Sequence, residues 1–190
     1  MEEKKYTKPT WIQGSVISDK KIIEWFKHRG ISHQILIDLK VTSKKEFMPQ
    51  TSKEENCICF NYFINNELVN IKSRDGKKNF KLFKGAKLVL YNLDSIKESQ
   101  EIYITEGEID CLSIHECGIK NVISVPNGAN NNLGYLDNCW ELVKDKKIII
   151  ATDNDESGIK LKLELAKRFG FDNCTYIDLN YKHTNIQIIL

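Results

Sequence analysis

Two short acidic motifs carry the chemistry that can be read from this sequence. Glu106-Gly107-Glu108 follows the apolar stretch IYIT at 102–105. Asp153-Asn154-Asp155-Glu156 follows the apolar stretch KIIIAT at 147–152 and runs into Ser157-Gly158. Where a chain leaves a strand and turns into a helix, carboxylates two residues apart can face one spot. A compact set of hard oxygen donors suits Mg²⁺, which binds a few carboxylates and keeps waters for exchange with phosphate oxygens. If the two strands are neighbours, Glu106 joins Asp153 and Asp155, and like charges that close call for a cation. Each motif alone has a plainer reading. An Asp-x-Asp pair is commonly a turn, and Asp155 can cap a helix that starts near Gly158. Asp110 can be a first-turn helix acid as readily as a member of the site.

A basic strip lies upstream. From Lys72 to Lys87 there are six lysines and one arginine against one aspartate, while Glu98 to Asp110 holds five carboxylates and no basic residue. Segregated charge of this kind suits a site that holds both phosphates and metal ions. In an extended strand Lys72 and Arg74 share a face. Lysine binds phosphate as a point charge, and arginine can grip it with two donors. Lys78 and Lys81 follow, and composition alone also fits a solvated lysine-rich hairpin. Pro126-Asn127-Gly128-Ala129 is either an ordinary turn or a loop whose amides meet a phosphate, with Gly128 permitting close backbone approach.

These residues need elements to place them. Apolar spacing predicts helices over 18–28, with Ser18 as cap, and over 32–39. Strands are predicted at 57–64, 67–73, 79–83 and 87–91, with Asn65-Asn66 as a tight turn. From residue 100 the pattern alternates. Strands fall at 102–105, 121–125, 147–152 and 174–179, with helices at 108–116, 133–143 and 158–169. That order implies a four-stranded parallel sheet with helices on both faces, and parallel sheets keep their sites at the carboxyl ends of the strands. The fold class is therefore α/β, with a small α+β subdomain at 1–98 before an α/β domain at 99–190.

The 190 residues, 41% hydrophobic and 28% charged, describe a folded chain, and the net charge of +2 selects no partner by itself. No apolar run approaches the ~18 residues that span a membrane, and the N-terminus has no apolar signal region, so the expectation is a cytoplasmic, reduced protein. Six cysteines show no Cys-x-x-Cys pair and no zinc-finger spacing. Cys111, Cys117 and Cys174 read as small buried hydrophobes. Trp11, Trp25 and Trp140 could stack on bases, but Trp25 and Trp140 sit on apolar helical stripes and read as core.

Acid-Gly after one strand and Asp-x-Asp-x-x-Gly after a later one resemble the Toprim domain of primases, topoisomerases, OLD-type nucleases and RecR-like repair proteins. ITEGEIDCLSIHECGIKNVISVPNGA and IIIATDNDESGIKLKLELAKRFG are similar to its primase–helicase members over residues 100–180. LVNIKSRDGKKNFKLFKGAKLVLYNLD resembles the polymerase subdomain that precedes Toprim in phage and mitochondrial primase–helicases. The resemblance implies catalysis and metal binding by Glu106, Asp153 and Asp155 with Mg²⁺ or Mn²⁺. It implies that Lys72, Arg74, Lys78 and Lys81 face template and incoming nucleotide, with Asn127 and Gly128 in the phosphate loop. Its partners would be single-stranded DNA, nucleoside triphosphates and a replicative helicase. The expected activity is primase-type nucleotidyl transfer; a Toprim nuclease and a non-catalytic DNA- or helicase-binding module are the alternatives. One departure favours the last. Where the family writes a further aspartate, in a Lys-Asp-Ala-Asn-Glu-like stretch, this chain has His183, between Lys182 and Thr184-Asn185-Ile186. Asp178 is the nearest substitute acid. No zinc module and no Walker A loop is visible in the sequence.

Overall fold

The described residues build two four-stranded sheets, one after the other, around a shared core. A computed structural model describes residues 5–10, 17–128 and 132–177. Helix α1 (Lys20–Lys27) and helix α2 (His33–Asp38) come first. Asp19, one residue past the expected Ser18, caps α1 by accepting from the Lys21 and Ile22 amides. Ser32 caps α2.

Strands β1 (Thr42–Met48), β2 (Lys53–Ile64), β3 (Glu67–Arg74) and β4 (Phe80–Leu82) form an antiparallel sheet in that order. The β2–β3 hairpin turns through Asn65 and Asn66, both left-handed with φ of 53° and 62°. Asparagine tolerates that region better than most residues, and paired positive φ values match the twist of a hairpin. The sequence pattern did not predict β1. Its stretch TSKKEFM is an edge strand with only Met48 fully buried, so it lacks apolar alternation.

Residues 87–91, expected to be a further strand of this sheet, are a connector. Val89, Leu90 and Tyr91 are buried, yet only Tyr91 makes a bridge, antiparallel to Ser124 of the second sheet. An apolar run buried on both sides looks like a strand by pattern alone.

The second sheet consists of β5 (Glu101–Thr105), β6 (Val122–Ser124), β7 (Lys147–Ala151) and β8 (Cys174–Tyr176), all parallel, in the order β6-β5-β7-β8. Helix α3 (Glu108–Glu116) links β5 to β6, and α5 (Glu156–Phe169) links β7 to β8. The β5–β6 and β7–β8 crossovers run in opposite directions across the sheet, and by the right-handed crossover rule such connections place their helices on opposite faces. The long helix expected at 133–143 is a 3₁₀ turn, Leu136–Asn138, followed by the short α4 (Trp140–Val143). Cys139, with φ −139°, interrupts it. The expected start of α5 at Gly158 moves back to Glu156, because Asp155 is its cap.

One hydrophobic cluster runs from Phe26 and Leu36 through Phe60 and Tyr62 to Ile102, Ile104, Ile123 and Ile150. Cys111 lies within it, as expected, whereas Cys117 is exposed at the end of α3 and Cys174 is half-buried on the sheet edge. All six cysteines are unpaired. Among the described residues no helix is long and apolar enough to cross a membrane.

Candidate active site

Strand order sets the location. β5 has β6 on one side and β7 on the other, so the sheet reverses its direction of growth between β5 and β7. Crevices form at such a reversal, outside the carboxyl ends of the strands. Thr105 pairs with Ala151, so both strands stop at one level and their acidic motifs emerge side by side. Two buried threonines fix these ends. Thr105 Oγ1 lies 3.1 Å from the Gly107 carbonyl and 3.2 Å from that of Ile123, and Thr152 Oγ1 donates to the Gly158 carbonyl at 3.0 Å.

A cavity of about 550 Å³ opens here. Glu106, Glu108, Asp110 and Asp153 line it from the parallel sheet, Asn127 and Gly128 from the loop after β6, and Lys72 and Phe80 from the antiparallel sheet. Gly128 has φ of 60°, the left-handed conformation that glycine adopts without strain.

The acids crowd one another. Burial pushes the Asp110 carboxyl up to about 7, and the charges of Asp153, Glu106 and Glu108 add to the effect. Asp153 is also raised, by burial first and then by Asp155. Asp155 sits beside the cavity: its Oδ1 accepts from the Gly158 amide at 2.8 Å and so caps α5. Gly158 is required by contact. A Cβ there would lie 2.1 Å from the Asp153 carbonyl oxygen.

The four expected basic residues separate. Lys72 reaches the cavity and is clamped: its Nζ donates to Glu108 Oε1 at 2.8 Å and to Oε2 at 3.0 Å, and the Tyr62 hydroxyl donates to the same carboxylate. Glu108 is buried, so this is a desolvated pair held by a third group. Sequence reasoning placed Glu108 in the first acidic motif and at the start of a helix, without a partner. Its partners lie 46 and 36 positions away, so no local signal could reveal them. Arg74 lies on the same face, behind Phe80 and against Trp25. Lys78 is exposed in the β3–β4 turn with φ of 66°. Lys81 faces the other side of the sheet, where it pairs with Glu46 at 2.7 Å and lines a separate cavity with Lys44 and Lys84. The alternation of β4 explains the split: Leu82 pairs with Lys72 and Phe80 with Arg74, which leaves Lys81 pointing away.

Trp140 stacks on Phe169 and is core-packed, as expected. Trp11, Ala129, Asp178, Lys182, His183 and Asn185 lie outside the described residues.

The donor set fits a hard divalent cation. Among the described residues no three acidic, histidine or cysteine side chains converge enough to enclose an ion. Mg²⁺ does not need that, since one or two carboxylates with waters and substrate phosphates commonly complete its shell. Glu106, Asp110 and Asp153 offer only oxygen, and their mutual repulsion is what a cation would relieve.

Residues 100–177 match the Toprim domain family. The chain is 35% identical to the Primase homolog protein of Arabidopsis thaliana and 33% identical to the Twinkle homolog protein, chloroplastic/mitochondrial, of the same plant, each over 169 residues and 81% of this chain. It spans 48% and 23% of their lengths. The primase fragment of the bacteriophage T7 primase-helicase protein superposes with a TM-score of 0.72 at 24% identity, over 93% of this chain and 75% of that one. At that identity the likeness shows the fold. With the strand order, the acidic strand ends and these matches in agreement, the chain carries a Toprim domain, in a primase-like fold that extends through the antiparallel sheet before it.

Proposed function

We propose that this chain is the polymerase core of a DNA primase, which joins ribonucleotides on a single-stranded DNA template. The observation that carries the reading is that one cavity gathers Glu106, Asp110 and Asp153 from one sheet and Lys72 from the other. A site for cations and phosphates needs both, and a Toprim domain alone would supply only the acids. In this reading residues 1–98 bind template and nucleotide, and residues 99–190 carry the chemistry.

Asp153, with Glu106 and Asp155 beside it, would hold Mg²⁺ or Mn²⁺. When bound, the ion neutralises triphosphate charge and polarises the attacked phosphorus. Glu106 accepts the proton of the attacking 3′-hydroxyl, and pyrophosphate leaves. Lys72, held by Glu108, which the Tyr62 hydroxyl also bonds, keeps its ammonium in place before substrate arrives. That spares the entropy of ordering a flexible side chain. Gly128 and Asn127 bring backbone close to phosphate oxygens. Arg74, Lys78 and Lys81 contact template or nucleotide beyond the cavity. A replicative helicase is the expected companion, and the cytoplasm or an organelle matrix the expected compartment.

The test is primer synthesis. Purified chain is incubated with single-stranded DNA, labelled ribonucleotides and Mg²⁺, beside an Asp153→Ala/Asp155→Ala control. Short RNA products that vanish in the control support the reading. Cleavage of the DNA in place of synthesis would identify a nuclease. DNA binding without any Mg²⁺-dependent product would identify a binding module.

A further inference from the structure

His115 leaves a buried nitrogen without a partner. The side chain stands on the last turn of α3 and is only 8% exposed, and among the described residues nothing hydrogen-bonds its Nδ1. A buried polar atom in that state is costly until a partner is supplied. The ring lines a second cavity, of about 200 Å³. Its walls come from the end of α2, from β2, from the connector at 91–95 and from α3, so it lies where the antiparallel sheet meets the Toprim domain.

The walls offer hydrogen-bond acceptors. Their side-chain donors are committed to main-chain carbonyls: Asn61 Nδ2 to Lys40 at 2.7 Å, the Tyr91 hydroxyl to Leu39 at 3.2 Å, Asn92 Nδ2 to Val122 at 2.9 Å and Ser95 Oγ to Asn92 at 2.8 Å. The Lys40 ammonium lies over the Phe63 ring at 4.1 Å. The His115 ring is neutral, because burial, and then the charge of Lys120, pushes its pKa down to about 4. A neutral imidazole has one lone pair, and we place it on Nδ1, since a stranded N–H is rarer than a stranded acceptor. Asp38, whose charge acts on His115, accepts from Gln34 at 2.7 Å and makes no ion pair among the described residues. Asp94 is a second carboxylate of the lining, so two aspartates against Lys40 leave it negative.

We infer that this cavity binds a small aliphatic amine in its ammonium form, which donates N–H bonds to His115 Nδ1 and to the Asp38 carboxylate. The volume is below the ~300–1,000 Å³ of pockets for drug-sized ligands, which limits the occupant to a short chain. An anion would meet two carboxylates and walls whose donors are already committed. A bare metal ion would need more convergent ligands than the described residues bring together. Bound there, the amine ties the last turn of α3 to the end of α2, and α3 carries Glu108 and Asp110 at its other end. The site stands independently of the polymerase reading.

The experiment reads His115 directly. Putrescine is titrated into the isotope-labelled full chain at neutral pH while the histidine ring nitrogens are followed by NMR. The His115 Nδ1 signal should move saturably, and the melting temperature should rise with putrescine concentration, as for any ligand of the folded state. Potassium chloride at equal ionic strength should do neither. In calorimetric titrations His115→Phe should weaken binding about tenfold or more, the effect of losing a buried hydrogen bond to a charged group. Asp38→Asn, on the exposed end of α2, should weaken it about threefold, as for a solvent-exposed charge pair. Asp153→Asn should leave the His115 response unchanged, because the acidic cavity does not hold this amine. A His115 signal that stays still at high putrescine assigns the cavity to water and overturns the site. So does a response that potassium chloride reproduces, one that acetate elicits in place of putrescine, or one that Asp153→Asn abolishes. If His115→Phe does not fold, Asp38→Asn decides alone, and undiminished binding in that chain overturns the proposal.

Discussion

Gly158→Ala sets two effects against each other. Gly158 lies in the first turn of α5 and does not have a positive φ, so alanine would suit its backbone. Helix propensity alone favours the substitution by about 1 kcal/mol. Packing opposes it. The added Cβ would sit 2.1 Å from the Asp153 carbonyl oxygen, where real contacts keep at least 3.0 Å, so the backbone must yield by about 0.9 Å. The obstacle is main chain and cannot rotate away. Overpacking of this kind costs ~1–3 kcal/mol. Packing therefore wins by up to ~2 kcal/mol, and the melting temperature should fall by up to ~8 °C for a chain of this size. The displacement falls on Asp153 itself, and a misplacement near 1 Å can cost about a hundredfold in rate. The assays are thermal unfolding and primer synthesis, with Ser157→Ala on the exposed turn as the neutral control. A Gly158→Ala chain that melts higher than wild type and synthesises primers normally would refute the reasoning, because it would show that the helix start moves freely relative to Asp153.

Further outcomes follow from the same geometry. Asp153→Asn should abolish Mg²⁺-dependent synthesis and leave the melting temperature unchanged or raised, since it removes a carboxylate that its neighbours repel; a circular dichroism melt beside the activity assay checks both. Lys72→Met and Glu108→Leu should each destabilise by ~3–5 kcal/mol, because each strands a buried charge, while the double substitution should recover most of that in a denaturant double-mutant cycle. Burial pushes the His115 imidazole down to about 4, against 6.5 for an ordinary histidine. Below pH 6.5 the unfolded chain takes up a proton that the folded chain refuses, so the stability from neutral His115 is complete above pH 6.5 and lost as pH falls toward 4. Denaturation of wild type and His115→Gln across that range should show the difference between them shrinking as the solution acidifies.

The positions of the acids were legible because their signal is local. A buried parallel strand shows as an unbroken apolar run, and the residue where the run stops is the residue at the strand's carboxyl end. IYIT before Glu106 and KIIIAT before Asp153 therefore announced where both motifs sit. Edge strand β1, solvated on most of its surface, carries no such signature. The run at 87–91 carries one without being a strand, since apolar pattern reports burial and not pairing.

By itself the sequence determined an α/β chain, a hairpin turning on Asn65-Asn66, and two acidic strand ends of the Toprim kind. Tertiary structure alone decided which groups meet. That β5 and β7 are neighbours, so that Glu106 faces Asp153, is a fact of strand order, which no pattern within a strand encodes. That Lys72 enters the cavity while Lys81 faces away depends on the register of β4 against β3, where a one-residue slip would exchange them. The union of Lys72, Glu108 and Tyr62, and the packing of Arg74 over the Trp25 ring, join residues dozens of positions apart. Such contacts are set by how two sheets pack on a shared core, and packing is a property of the whole chain.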